Sequence, residues 1–186
     1  MMMTRTFVTL ALCLALQSVG TAVARQGDER LASLFDQLEG AASLQQAEPM
    51  VRAIWGIWYE SGDEELDELM AKGMVAMNAG RFDISLRYFD AVITTDPEYA
   101  EGWNKRATVH WLMDNLEESM GDIRRTLALE PRHFGAVSGM GLIFMQQGDH
   151  DSALRAFEQV LKINPKDAGA KRRVEELRRL VDEEAV

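Results

Sequence analysis

Three prolines, Pro97, Pro131 and Pro165, stand 34 residues apart. A fixed period of this size constrains the fold more than any other feature. Units of roughly 20–50 residues cannot each bury an apolar face alone, so they stack into one continuous core. Each unit here has the same order: an apolar helical pattern, a break, a second helical pattern, and an Asp-, Glu- or Asn-Pro stop. The residue before a proline is pushed out of the helical region, so Asp96, Glu130 and Asn164 are expected to end helices.

In the first unit, 66–78 reads as a helix and Gly80 supplies the left-handed residue that ends it. The second helix, 82–94, turns Phe82, Leu86, Phe89, Val92 and Ile93 inward. The second unit places Trp103, Ala107, Val109 and His110 on its first helix and Leu116, Ile123 and Leu127 on its second. Its turn, Met113-Asp114-Asn115, has no glycine; Asp and Asn tolerate the left-handed conformation better than most residues. The third unit restores Gly148 and continues with Ala153, Phe157, Val160 and Pro165.

These positions resemble the tetratricopeptide repeat, a 34-residue helix–turn–helix unit with the pattern W-x2-L-G-x2-Y, A-x3-F, P. The first unit matches at Gly73, Gly80, Phe89 and Pro97, the second at Trp103 and Pro131. The third matches at Gly141, Phe144, Gly148, Ala153, Phe157 and Pro165. The resemblance implies an all-α, right-handed α-solenoid with an N-terminal helical cap and a C-terminal solvating helix. Its repeats would span 66–99, 100–133 and 134–166, followed by a capping helix in 167–186.

Residues 25–65 read as a helical pair, with Leu31, Leu34, Phe35 and Leu38 on one stripe and Val51, Ile54, Trp55 and Trp58 on another. Pro49 either marks a start near Glu48 or kinks the second helix. On the 34-residue ruler Asp63 falls where Pro97 falls one unit later, so the pair reads as a degenerate first repeat. Trp55 and Trp58 would then seal the end of the stack.

The first 24 residues differ in kind. Arg5 is followed by a ten-residue apolar run, Phe7 to Leu16, and by Ala22-Val23-Ala24 before Arg25. This is the plan of a secretory signal peptide cut after Ala24, with retention as an anchor as the rival reading. The expected location is periplasmic, with no membrane span after cleavage. The whole resembles exported bacterial tetratricopeptide-repeat proteins. Cys13, the single cysteine, lies in the apolar run, so the mature chain has no thiol chemistry.

The formal net charge is −10, and residues 60–101 hold eleven acidic against three basic side chains. That excess repels nucleic acid; it reads first as a solvated face that keeps the chain dispersed and, as the alternative, as a surface that steers a partner with a basic segment. No phosphate-binding glycine loop, G-x-S-x-G or HExxH is present, and no cofactor or metal is expected. The resemblance therefore implies a non-catalytic scaffold that binds a peptide or protein in a concave groove. The alternatives are self-association through the Trp55/Trp58 end or the groove, and an envelope enzyme with an unrecognised site. Transferring the family's groove phase gives Met70, Met74, Met77 and Asn78, then Asn104, Thr108 and Trp111, then Ser138, Leu142 and Met145. A carboxylate clamp of Lys, Asn and Arg, known in some family members, is matched only at Asn104.

Overall fold

The computed structural model describes residues 28–184, so the signal-peptide segment lies outside the described residues. Among the described residues the structure is all-α: α1 (Glu29–Gly40), α2 (Leu44–Tyr59), α3 (Glu64–Asn78), α4 (Phe82–Thr95), α5 (Ala100–Leu112), α6 (Leu116–Leu129), α7 (Phe134–Gln146), α8 (His150–Ile163) and α9 (Ala168–Glu184). The pairs α3–α4, α5–α6 and α7–α8 are the three repeats, and α9 packs on α8.

Both ends of the repeat helices follow from local chemistry. Asp63, His133 and Asp149 cap α3, α7 and α8, each accepting a backbone N–H of the first turn. The first helices end in one closing hydrogen bond repeated three times. The N–H of Arg81, Asn115 and Asp149 donates to the carbonyl of Ala76, His110 and Phe144, at 2.9 Å in each case. The residue at the reversal has positive φ: 69° at Gly80, 63° at Asp114 and 76° at Gly148. Asp114 thus takes the left-handed turn expected of it. The second helices end at Thr95, Leu129 and Ile163, directly before the Asp-, Glu- and Asn-Pro stops.

Close approach within each repeat depends on matched volumes. A Cβ added to Gly73 would lie 2.6 Å from the Phe89 ring, and one added to Gly141 would lie 2.8 Å from Phe157. The second repeat carries Ala107 and Ile123 at the same two positions, a methyl gained on one helix and a ring lost from the other, and both are buried. The Ser85 hydroxyl donates to the Gly73 carbonyl at 2.9 Å, and Ser119 donates to Ala107 at 2.8 Å.

The helical pair α1–α2 is placed differently from expectation. Ser43 caps α2, and the helix runs from Leu44 through Pro49 without ending there. Stacking on the first repeat would cover Val75, which is 70% exposed. Its counterparts 34 and 68 residues later, Val109 and Ile143, are 0% exposed. The pair instead packs α1 against α8 and α2 against α5. Leu31, Phe35, Leu38, Ile54, Ile57 and Trp58 join Phe134, Val137, Phe157 and Val160 in one core. The tryptophans seal apolar surface at the start of α7, not at the outer face of α3. Gly62, with φ of 77°, lies in the short link that lets the chain turn back.

Two glycine-to-alanine changes should have opposite signs. Gly141→Ala crowds Phe157 and is expected to destabilise by about 1–3 kcal/mol. Gly56→Ala, in α2 with nothing within 4 Å of the new methyl, is expected to stabilise by about 0.5–1 kcal/mol. Urea unfolding of both variants checks the pair; equal effects would contradict the packing described.

Candidate functional site

Glu101, Asn104, Thr108 and Trp111 fall on one stripe of α5, and Gly135, Ser138, Leu142 and Met145 on one stripe of α7. Between these stripes lies an open pocket of about 180 Å³. Five of the ten expected groove residues line it: Asn104, Thr108, Trp111, Ser138 and Leu142. Ala107, Ser119, Ile123, Gly135 and Gly139 complete the walls.

The other five are not brought together with them. Met70 is 3% exposed and sits in the core with Leu66, Phe89, Val92, Tyr99 and Val109, so it does not line a groove. It shares the repeat register of Asn104 and Ser138, but Tyr59 at the end of α2 packs onto its cluster. Met74 and Met77 are half-buried against the same cluster, and Asn78 is exposed at the end of α3. Met145 is half-buried under α9, with Arg173 Nη1 3.4 Å from its sulfur.

One turn nearer the start of α5 and α7, the same stripes are covered by α2. Trp58 stacks on His133 with ring centres 4.0 Å apart, and Trp55 packs edge-on against Phe134 at 5.5 Å. A Cβ on Gly135 would meet the Trp55 ring at 2.7 Å, so glycine is required for this approach. Tyr99 and His133 occupy the same register position in successive repeats and grip adjacent residues of α2. The Tyr99 hydroxyl donates to the Tyr59 carbonyl at 3.0 Å, while His133 faces Trp58.

His133 also organises a buried polar cluster. Its Nδ1 accepts the Ala136 N–H at 3.1 Å, which leaves Nε2 to donate to Glu101 Oε2 at 2.9 Å. Asn104 Nδ2 donates to the same oxygen at 3.0 Å, and Lys105 Nζ is 3.1 Å from Oε1. The Lys105 ammonium also lies 5.4 Å from the Trp55 ring centre and 5.1 Å from that of Tyr59, a cation–π arrangement. Burial pushes the Glu101 carboxyl up, but the His133 hydrogen bond and the Lys105 charge outweigh it and hold it below the ordinary glutamate value. Burial likewise pushes the Lys105 ammonium down, and the Glu101 charge outweighs that and raises it. The side chains of Glu101 and His133 are 0% exposed, so neither can meet a substrate. Chemically the cluster is a latch for α2. Among the described residues no group of three His, Cys, Asp or Glu could hold a metal ion, and no helix is long and apolar enough to cross a membrane.

Sequence reasoning missed this latch. Glu101 and Lys105 are visible as an i, i+4 pair, and His133 as the register partner of Tyr99. Only the fold brings α2 onto them.

Tetratricopeptide repeat models match residues 70–133 and 137–167. A TPR repeat-containing protein of Rhizobium etli is 38% identical over 146 residues, covering 78% of this chain and 72% of the relative. The chain belongs to the tetratricopeptide repeat family. The Hsp70-Hsp90 organizing protein of Triticum aestivum is 29% identical over 56% of this chain, which spans only 18% of that larger protein. Among solved structures, the first TPR of Spaghetti (RPAP3) bound to the HSP90 peptide SRMEEVD superposes with a TM-score of 0.61 at 18% identity, over 64% of this chain and 96% of that one. The Sgt2 TPR domain from Aspergillus fumigatus gives 0.62 at 21%, over 66% and 83%. These likenesses establish the tetratricopeptide solenoid fold.

The latch predicts a pH signature. Glu101 has a folded pKa below its unfolded value, so its contribution is fully present above about pH 4.5 and is lost as pH falls through the folded value. Lys105 has a raised folded pKa, so its contribution is full below about pH 10.5 and is lost as pH rises through the folded value. Glu101→Gln should cost on the order of 3 kcal/mol at pH 7 by stranding Lys105, and should flatten the acid limb of the stability profile. Trp58→Ala should cost about 3–5 kcal/mol with no change in that limb. Thermal melts from pH 3 to pH 8 compare the two; an unchanged acid limb in Glu101→Gln would contradict the latch.

Proposed function

We propose that the protein is a non-catalytic interaction module of the cell envelope that binds a peptide or protein segment in the groove between α5 and α7. The observation that carries this reading is the open pocket itself, which in-phase side chains of two successive repeats line together. Recognition by main chain and a few anchors suits such a groove. The neighbour bound to an HSP90 peptide lends support through its fold. Export rests on the N-terminal sequence plan alone.

Photo-crosslinking in the native envelope tests the binding role. A crosslinker at Thr108 should trap a defined partner band, and one at Arg155, exposed on α8, should not. Ser138→Arg, on a half-exposed wall of the pocket, should abolish the Thr108 adduct while the circular-dichroism melt barely moves. Equal adducts at both sites would count against the groove. For location, the mature chain should be recovered from the periplasmic fraction with Arg25 as its first residue; recovery from the cytoplasm with Met1 intact would overturn the export reading.

Self-association is the second reading, favoured by one observation. Val75 is 70% exposed at a position that the preceding unit covers in the next two repeats. The Trp55/Trp58 end cannot serve, because Trp58 is buried within the chain. Sedimentation mass that rises with concentration and falls in Val75→Asp would support this reading; a monomer at every concentration excludes it.

A further inference from the structure

We propose that the α5–α7 pocket takes an uncharged aliphatic side chain of a partner peptide with basic neighbours, and does not take a carboxylate. This rests on the groove-binding role above and narrows its partner class.

The first ground is the fate of the donors on this stripe. Asn104 Nδ2, His133 Nε2 and Lys105 Nζ converge on one carboxylate, but it is the chain's own Glu101, buried beneath α2. A partner carboxylate entering beside Asn104 would shed its hydration and find Lys105 and His133 already committed to Glu101, with only the second N–H of Asn104 and the Ser138 hydroxyl left to it and no cation. Burying an unpaired carboxylate is strongly unfavourable. The Thr108 hydroxyl offers no free hydrogen either, since it donates to the Asn104 carbonyl at 2.9 Å.

The second ground is size and lining. At about 180 Å³ the pocket is smaller than the roughly 300–1,000 Å³ of sites for whole small molecules, and it suits a single side chain. Ala107, Ile123, Leu142 and Trp111 supply apolar walls. On the α7 wall, Trp55 closes over Gly135 and Ile123 over Gly139, so these two glycines mark the inner limit of the pocket and leave room for one anchor side chain.

The third ground is the charge at the open end. Trp111 and Leu142 lie in or near the last turns of α5 and α7, where helix carbonyls and the negative ends of two helix dipoles collect. Asp114 follows α5 and is held by the side-chain amide of Gln146 from the end of α7. Arg173 approaches only as far as Met145, with its guanidinium over the Phe157 ring at 5.3 Å. A lysine or arginine flanking the anchor residue would be attracted to this rim.

The test titrates the full, isotopically labelled chain with three synthetic dodecapeptides, followed by amide and indole NMR signals. The first, capped at both ends, has one leucine between lysines. The second replaces the lysines with glutamates. The third ends in acidic residues and a free C-terminal carboxylate. The first is expected to give saturable shifts at the Gly135 and Gly139 amides and the Trp111 indole, at least tenfold tighter than the others. Ser138→Arg, which fills the pocket from its half-exposed wall, should weaken that binding at least tenfold with an unchanged thermal melt. If the third peptide moves the same signals equally well, the partner class is overturned while the groove-binding role stands. If no peptide moves them, or if Ser138→Arg leaves the lysine peptide's binding unchanged, the pocket assignment is overturned, and Thr108 crosslinking decides the binding role independently.

Discussion

The stacking of Trp58 on His133 is the contact on which the arrangement of this protein turns. It joins an element outside the 34-residue period to two repeats inside it. His133 caps α7, donates to Glu101 on α5 and carries the Trp58 ring at 4.0 Å, so one side chain ties α2, α5 and α7 together. A buried carboxylate at such a junction is a poor source of net stability, because desolvation can equal or exceed the Coulombic gain. Its effect is on geometry. With Nδ1 engaged by Ala136 and Nε2 by Glu101, the imidazole plane is held in one orientation, and only a docked hairpin presents a flat ring parallel to it.

The repeats themselves are held by a simpler rule: shape matched between the two helices of a unit. Gly73 faces Phe89 and Gly141 faces Phe157, while the second repeat carries Ala107 and Ile123. Volume is transferred across the contact, not lost, which is how a packed interior accepts substitution. The second repeat therefore departs from the family pattern at two positions and still stacks in phase. Its ion pairs reinforce this from outside: Arg106 on α5 bonds to Asp122 of α6 through two nitrogens and to Asp90 of α4 through a third.

This contrast explains what could be read in the sequence. Pro97, Pro131 and Pro165 act through local backbone sterics, so helix ends next to them were legible closely: the first second-helix was expected to end at residue 94 and ends at Thr95. Asp114 was legible for the same reason: its left-handed turn is a property of three or four neighbouring residues. The place of α1–α2 was not legible. Its apolar stripes show that it must dock, and Val75 on α3 and Phe134 at the start of α7 are both apolar positions, although the outer face of α3 also carries the exposed Glu68–Lys72 pair. The choice is made by Gly135 admitting Trp55 and by His133 facing Trp58, contacts separated by about 80 residues of chain. Met70 was misplaced on the groove for the same cause, since the α2 end that shields its cluster could not be located.

The hairpin also decides how much groove remains. A three-repeat solenoid would offer a floor running across α3, α5 and α7. Here Tyr59 packs onto the cluster of α3, Trp55 and Trp58 cover the first turns of α5 and α7, and Arg173 reaches across to Met145. Among the described residues an interval between α5 and α7 stays open, lined by side chains of both helices. Affinity for a partner must then come from few contacts, and a well-filled anchor position outweighs contact area in such a case. The proposed groove is thus short, and its chemistry would be set by the few side chains that line it, above all Asn104, Trp111, Ser138 and Leu142.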